Sequence, residues 1–161
     1  MGGGPMKRNR WKLWALLACA AVCAAVLLAS RHIIKGSQFA AYYADPSISK
    51  TTLEKTVETA DSVETLFRTE LSPAQQAELF SQMENRRFAS FSASSFPINS
   101  PTRYILTAFS GGGATVVRLK IYDGAIFVLE YAPGDSPPVY GKYRSLGYNW
   151  TLVLDSYANG M

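Results

Sequence analysis

Cysteine is nearly missing from this sequence: there are two, Cys19 and Cys23, and both sit inside one apolar run. Residues 36–161 have no thiol with which to close a disulfide, so a domain built from them is held by its hydrophobic core. Histidine is scarcer still. The single one, His32, borders the apolar run, which excludes a Ser-His-Asp arrangement within the globular region. Zinc or copper would find only carboxylates there, and no Asp-rich loop has calcium spacing. No metal site, cofactor or catalytic residue is expected. Acidic residues are absent from residues 1–35, which hold six cations: Lys7, Arg8, Arg10, Lys12, Arg31 and Lys35. Without that segment ten Lys/Arg face all twelve Asp/Glu, so residues 36–161 carry about −2 although the whole chain carries +4. The basicity belongs to the N-terminal segment, and nucleic acid is not an expected partner.

What is present begins with that apolar run. Leu13 to Ser30 contains no charge, Pro or Gly and, as a helix, covers about 27 Å, one hydrocarbon core. A transmembrane helix is expected over 13–34, with the lipid bilayer as its partner. Four cations precede the run and two follow it, which places the N-terminus in the cytoplasm and the rest outside the cell membrane. Cys19 and Cys23, at i, i+4, read as small packing residues. Three other processing routes compete. A cleaved signal peptide fits the basic start and the small residues at Ala29-Ser30, although Arg31 follows at once. Leu16-Leu17-Ala18-Cys19 resembles a lipoprotein box, although the apolar run continues beyond it. Met1-Gly2 begins like a myristoylation signal, but Met6 stands where Ser or Thr is wanted.

The expected organisation is a cytoplasmic tail (1–12), the membrane helix (13–34), a juxtamembrane linker (35–46) and an extracellular α+β domain (47–161). Phe39-Ala-Ala-Tyr-Tyr43 suits headgroup depth or the start of the fold. Residues 47–58, Thr-rich and partly alternating, are read as a strand, although Leu53, Val57 and Ala60 also have the spacing of a helix. Asp61-Ser-Val-Glu64 fits a capping box, and Val63, Leu66, Phe67 and Leu71 then share one helical face, which predicts a short helix. Ser72-Pro-Ala-Gln75 predicts a second, with Ala77, Phe80, Met83 and neighbouring Leu79 facing inward.

From Arg87 the period changes to two, and strands are expected over 87–93, 102–109, 115–122 and 125–131. Ser110-Gly-Gly-Gly113 turns the chain, and Asp123-Gly124 suits a two-residue type I′ turn. In that register Tyr122 opposes Ala125, Ile121 opposes Ile126, Leu119 opposes Val128 and Val117 opposes Glu130. A short edge strand is expected near Tyr140 to Arg144, and residues 149–158 suit a helix capped by Asn149 or a last strand. The fold class expected is a mostly antiparallel sheet of four or five strands with two helices packed on one face.

This order, a strand, helices and then a meander with the Leu-x-Ile-Tyr-Asp-Gly hairpin, spans Ser47 to about Tyr143. It resembles the small membrane-tethered or lipoprotein domains of unknown function common in Gram-positive bacteria. Such families have no assigned activity or site residues, so nothing functional carries over. The remaining motifs are short. Ser47-Ile-Ser-Lys50 matches Ser-x-x-Lys but lacks companion motifs, and Ser110-Gly-Gly-Gly113 lacks the Gly-Lys-Ser/Thr of a phosphate loop. Asn149-Trp-Thr151 is a glycosylation sequon, relevant only in a eukaryotic secretory pathway.

One surface mixes cations with aromatics: the hairpin face with Arg118, Lys120, Tyr122, Phe127 and Tyr131. Exposed sheets also lay Lys and Arg stems over aromatics with no ligand, and the segment from Trp150 suits a cover for Phe127 and Leu129. The function expected is a non-catalytic binding module on a single-pass membrane protein. Its partner would be a protein, a peptide or a cell-envelope ligand. The rivals are an accessory subunit of a membrane complex, touching through Ala15, Cys19 (or Ala18), Val22 and Val26, and a hydrolase of unrecognised type.

Overall fold

Alternating apolar residues govern most of the chain beyond residue 46, and in the computed structural model they form one sheet. The structure describes residues 6–30, 32–91, 100–132 and 137–158. The elements in order are α1 (Met6–Ser30), β1 (Ile33–Lys35), α2 (Ser37–Tyr43), β2 (Ile48–Glu58), β3 (Val63–Leu71), α3 (Pro73–Glu84), β4 (Arg87–Phe91), β5 (Thr102–Ser110), β6 (Thr115–Tyr122), β7 (Ile126–Tyr131), β8 (Val139–Ser145) and α4 (Thr151–Ala158). Residues 1–33 and 34–161 make two separate compact units.

The first unit corrects the membrane reading. Among the described residues no helix is long and apolar enough to cross a membrane. The expected span also overruns the helix, which ends at Ser30, while Ile33–Lys35 forms a strand. The transmembrane helix over 13–34, the single-pass membrane class and the extracellular placement derived from them are therefore withdrawn.

In the second unit the strands run β1-β4-β8-β7-β6-β5-β2-β3, eight rather than the expected four or five. Each of the six pairings from β4 round to β3 is antiparallel. Residues 63–71, expected as a helix, form the edge strand β3. The reason lies at Leu66. Lys55 pairs with Phe67 and Thr56 with Thr65, so Leu66 is the extra residue of a bulge, and of the four apolar residues it alone departs from the even spacing of a strand. Beyond it Phe67, Thr69 and Leu71, opposite Lys55, Leu53 and Thr51, alternate as a strand does. Asp61-Ser62 lies in the β2–β3 connection, where the Thr59 N–H donates to the Ser62 carbonyl at 2.8 Å. β8, expected at an edge, is interior between β4 and β7.

The box at Ser72 forms in full. Its hydroxyl accepts from the Gln75 N–H at 3.3 Å, and Gln75 Oε1 accepts from the Ser72 N–H at 2.9 Å. Leu79, Phe80 and Met83 are buried as expected, while Ala77 is exposed. Three helices, not two, lie on one side of the sheet, because Phe39-Ala-Ala-Tyr-Tyr43 belongs to α2. The Phe39 ring is fully buried against Phe88 and Phe127, and the Tyr43 hydroxyl donates to the Leu106 carbonyl at 2.9 Å. The C-terminal segment is helix α4, with Asn149 Oδ1 accepting from the Thr151 N–H at 2.8 Å. Trp150, fully buried, sets its ring edge to face on Phe127 and donates from Nε1 to Ser145 Oγ at 3.1 Å.

The central hairpin has the expected turn but not the expected register. Asp123 and Gly124 take φ of 51° and 61°, and the Ala125 N–H donates to the Tyr122 carbonyl at 3.0 Å. Ala125 then takes no place in the β6–β7 ladder, and its carbonyl accepts from the Ser145 N–H at 2.8 Å. Tyr122 opposes Ile126, Ile121 opposes Phe127, Leu119 opposes Leu129 and Val117 opposes Tyr131. A one-residue offset exchanges the two faces of β7. Phe127, Leu129 and Tyr131 turn toward the helices; Ile126, Val128 and Glu130 turn outward with Tyr122, Lys120 and Arg118.

Candidate functional site

The helices cover one side of the sheet and leave the other as a lattice of side chains whose rows cross the strands. One row runs Glu70, Thr52, Thr107, Arg118, Glu130 from β3 to β7; the next runs Arg68, Glu54, Ile105, Lys120, Val128. Arg103 lies in the following row between Thr56 and Tyr122. Together Arg68, Arg103, Arg118 and Lys120, with the single acid Glu54, surround a shallow cleft of about 390 Å³ whose apolar lining includes Ile105 and Phe109.

Three of the four cations have partners at the cleft's margin. Arg68 Nε meets Glu54 at 2.9 Å, Arg103 Nη1 meets Glu58 at 3.1 Å, and Arg118 Nη1 meets Glu130 at 3.6 Å. Arg103 Nε also donates to Thr56 Oγ1 at 3.1 Å. Such partly exposed pairs contribute about 0–1 kcal/mol each, little enough that a ligand can replace one side of them. Lys120 has no ion pair or hydrogen bond among the described residues, and its neighbours across the strands are Ile105 and Val128. It stands two residues from Arg118, about 7 Å along the strand. At that spacing two positive charges repel by about 0.6 kcal/mol in water and about 2 kcal/mol at an effective dielectric of 20. An anion between them relieves this repulsion.

Of the five residues singled out from the sequence, the structure brings Arg118, Lys120 and Tyr122 to this face and removes the other two. Phe127 is fully buried under Phe39, Phe88 and Trp150. Tyr131 lies on the helix side, its ring 4.8 Å from that of Tyr42 and its hydroxyl donating to Asp45 Oδ2 at 3.2 Å. Partial burial, then the bond to Asp45, raises the Tyr131 pKa. Sequence reasoning missed Arg68, because β3 read as a helix, and Arg103, because its approach to Arg118 depends on the pairing of β5 with β6.

A larger cleft, about 700 Å³, opens on the helix side where the α2–β2 connection, the end of β3 and the start of α3 meet. Tyr43, Ile48, Leu71 and Phe80 supply apolar lining, and Asp45 and Thr51 polar groups. Elsewhere Lys55 Nζ and the Tyr104 hydroxyl converge on Asp155 Oδ1 at 2.8 and 2.9 Å. The bond to Asp155 raises the Lys55 pKa, so this amine is held as an ammonium. Among the described residues no group of three or more His, Cys, Asp or Glu is placed to hold a metal ion. Comparison with family models, curated proteins and solved structures finds no match for this chain.

Proposed function

We propose that residues 34–161 form a non-catalytic binding module that takes a ligand with two or more anionic groups on the open face of its sheet. The observation that supports this reading is the convergence of Arg68, Arg103, Arg118 and Lys120 on one cleft with a single acid in its lining. Lys120 adds to it, since no acid among the described residues pairs with its charge. Ile105 and Phe109 give the rest of such a ligand an apolar surface beside the charges.

Pyrophosphate, titrated into the 15N-labelled chain at low salt, tests the proposal. Amide shifts should saturate and centre on β5 and β6, weakening as salt rises. Lys120→Glu should abolish them while changing stability by no more than about 0.5 kcal/mol, because the side chain is partly exposed and unpaired. Saturable binding unchanged by Lys120→Glu, or shifts scattered over the surface, would falsify the reading.

A further inference from the structure

We infer that the 700 Å³ cleft on the helix side is a second binding site, for a small organic ammonium ion with an apolar body. It lies across the sheet from the basic cleft and takes a ligand of the opposite charge, so it does not depend on the proposal above.

Three independent features converge there. The first is unpaired negative charge. Asp45 lines the cleft and forms no ion pair among the described residues. The one cation among the lining residues, Lys50, holds its ammonium 5.5 Å from the centre of the Phe109 ring. Asp45 is fixed in place: Oδ1 accepts the Ser47 N–H at 2.9 Å and Oδ2 the Tyr131 hydroxyl at 3.2 Å. Each carboxylate oxygen has a second lone pair, so it still has capacity to accept from an ammonium. The bonds from Ser47 hold the Asp45 pKa below the usual carboxylate value, which keeps the charge in place at neutral pH.

The second feature is the apolar wall. Tyr43 and Phe80 pack with ring centroids 4.6 Å apart and planes tilted by 35°, and Leu71 and Ile48 continue the lining. Aromatic rings beside a carboxylate attract an ammonium through their faces as well as through its counter-charge. The third is Thr51, which lines the cleft at 1% exposure while its buried Oγ1 has no hydrogen-bond partner. Buried hydroxyls are nearly always bonded, and a ligand N–H in the cleft supplies the missing donor. The N-terminus of α3 contributes little, because Ser72 and Gln75 consume its free donors in their own cap.

The test compares 2-phenylethylammonium with its uncharged analogue 2-phenylethanol, each titrated into the full chain and followed by amide shifts. The amine should bind saturably, with shifts centred on residues 44–51 and 71–77, at least tenfold tighter than the alcohol. Asp45→Asn should remove that preference. Thr51→Val should weaken the amine severalfold with Tm equal to or above that of the parent, since it deletes an unpaired buried hydroxyl. Lys120→Glu should leave all of this unchanged. Equal affinity for amine and alcohol, a preference that survives Asp45→Asn, undiminished binding by Thr51→Val, or no saturable binding would each overturn the assignment.

Discussion

Asp155 joins α4 to the sheet through a single oxygen that accepts from both Lys55 and Tyr104. Asp155→Ala leaves a partly exposed ammonium and a buried phenol without their partner, and the expected cost is about 1–3 kcal/mol. The pH dependence follows from Lys55. Its folded pKa is raised, so the stabilisation is complete below its unfolded value of about 10.4 and is lost as pH rises through the higher folded value. Urea melts of parent and variant should differ by a constant amount between pH 6 and 9, and the gap should close in stronger alkali. A gap that closes below pH 9 would show that the Lys55 charge contributes nothing.

At this scale some of the candidate site was legible from the sequence. Alternation along 115–122 puts Arg118, Lys120 and Tyr122 on one face whatever strand lies beside them. Phe127 and Tyr131 were misplaced because their face depends on Ala125, which sits outside the β6–β7 ladder. Nothing local marks that offset, since the turn itself takes the expected type I′ angles.

Among the elements, the β6–β7 turn and α4 lock together at Gly124. Its carbonyl accepts the Trp150 N–H at 2.7 Å, and its φ is +61°. A Cβ there would lie 2.2 Å from Asn149 Oδ1 and 2.7 Å from the Thr151 nitrogen, where the chain enters α4. Gly113 has φ of +82° and nothing within 4 Å of its Cβ position, so it serves as the control. Gly113→Ala should cost about 1–2 kcal/mol, the left-handed backbone penalty alone. Gly124→Ala should cost clearly more and should shift the Trp150 emission; equal losses would mean that α4 does not rest on the turn. Elements specified within a few residues, such as the Ser72 capping box, were readable in advance. β3 was not, because its bulged pairing with β2 is set by contact across strands, and β8 became interior only through its pairing with β4.

For the molecule as a whole, one buried cluster runs from Phe39 of α2 to Tyr157 of α4 and includes residues of β2 to β7. A shared core of this kind predicts a single cooperative transition for a fragment of residues 32–161. Trp150 is the only tryptophan left in that fragment, since Trp11 and Trp14 lie in α1. Its fluorescence, a probe of the core, should melt at the same urea concentration as the far-UV circular dichroism. Separated midpoints would show that α4 and the sheet fold as distinct units.

The open face also has the properties of a ruler. Strand spacing sets about 5 Å between neighbours across the sheet, and the pleat sets about 7 Å between successive outward residues along a strand. Arg68 and Lys120 lie three strands apart in one row, about 14 Å, while Arg118 is one step from Lys120 along β6. A compact ion such as sulfate is too short to reach from one end of that row to the other. On the proposed reading, a longer chain of anionic groups, repeating at intervals the pleat can match, would engage all four cations together.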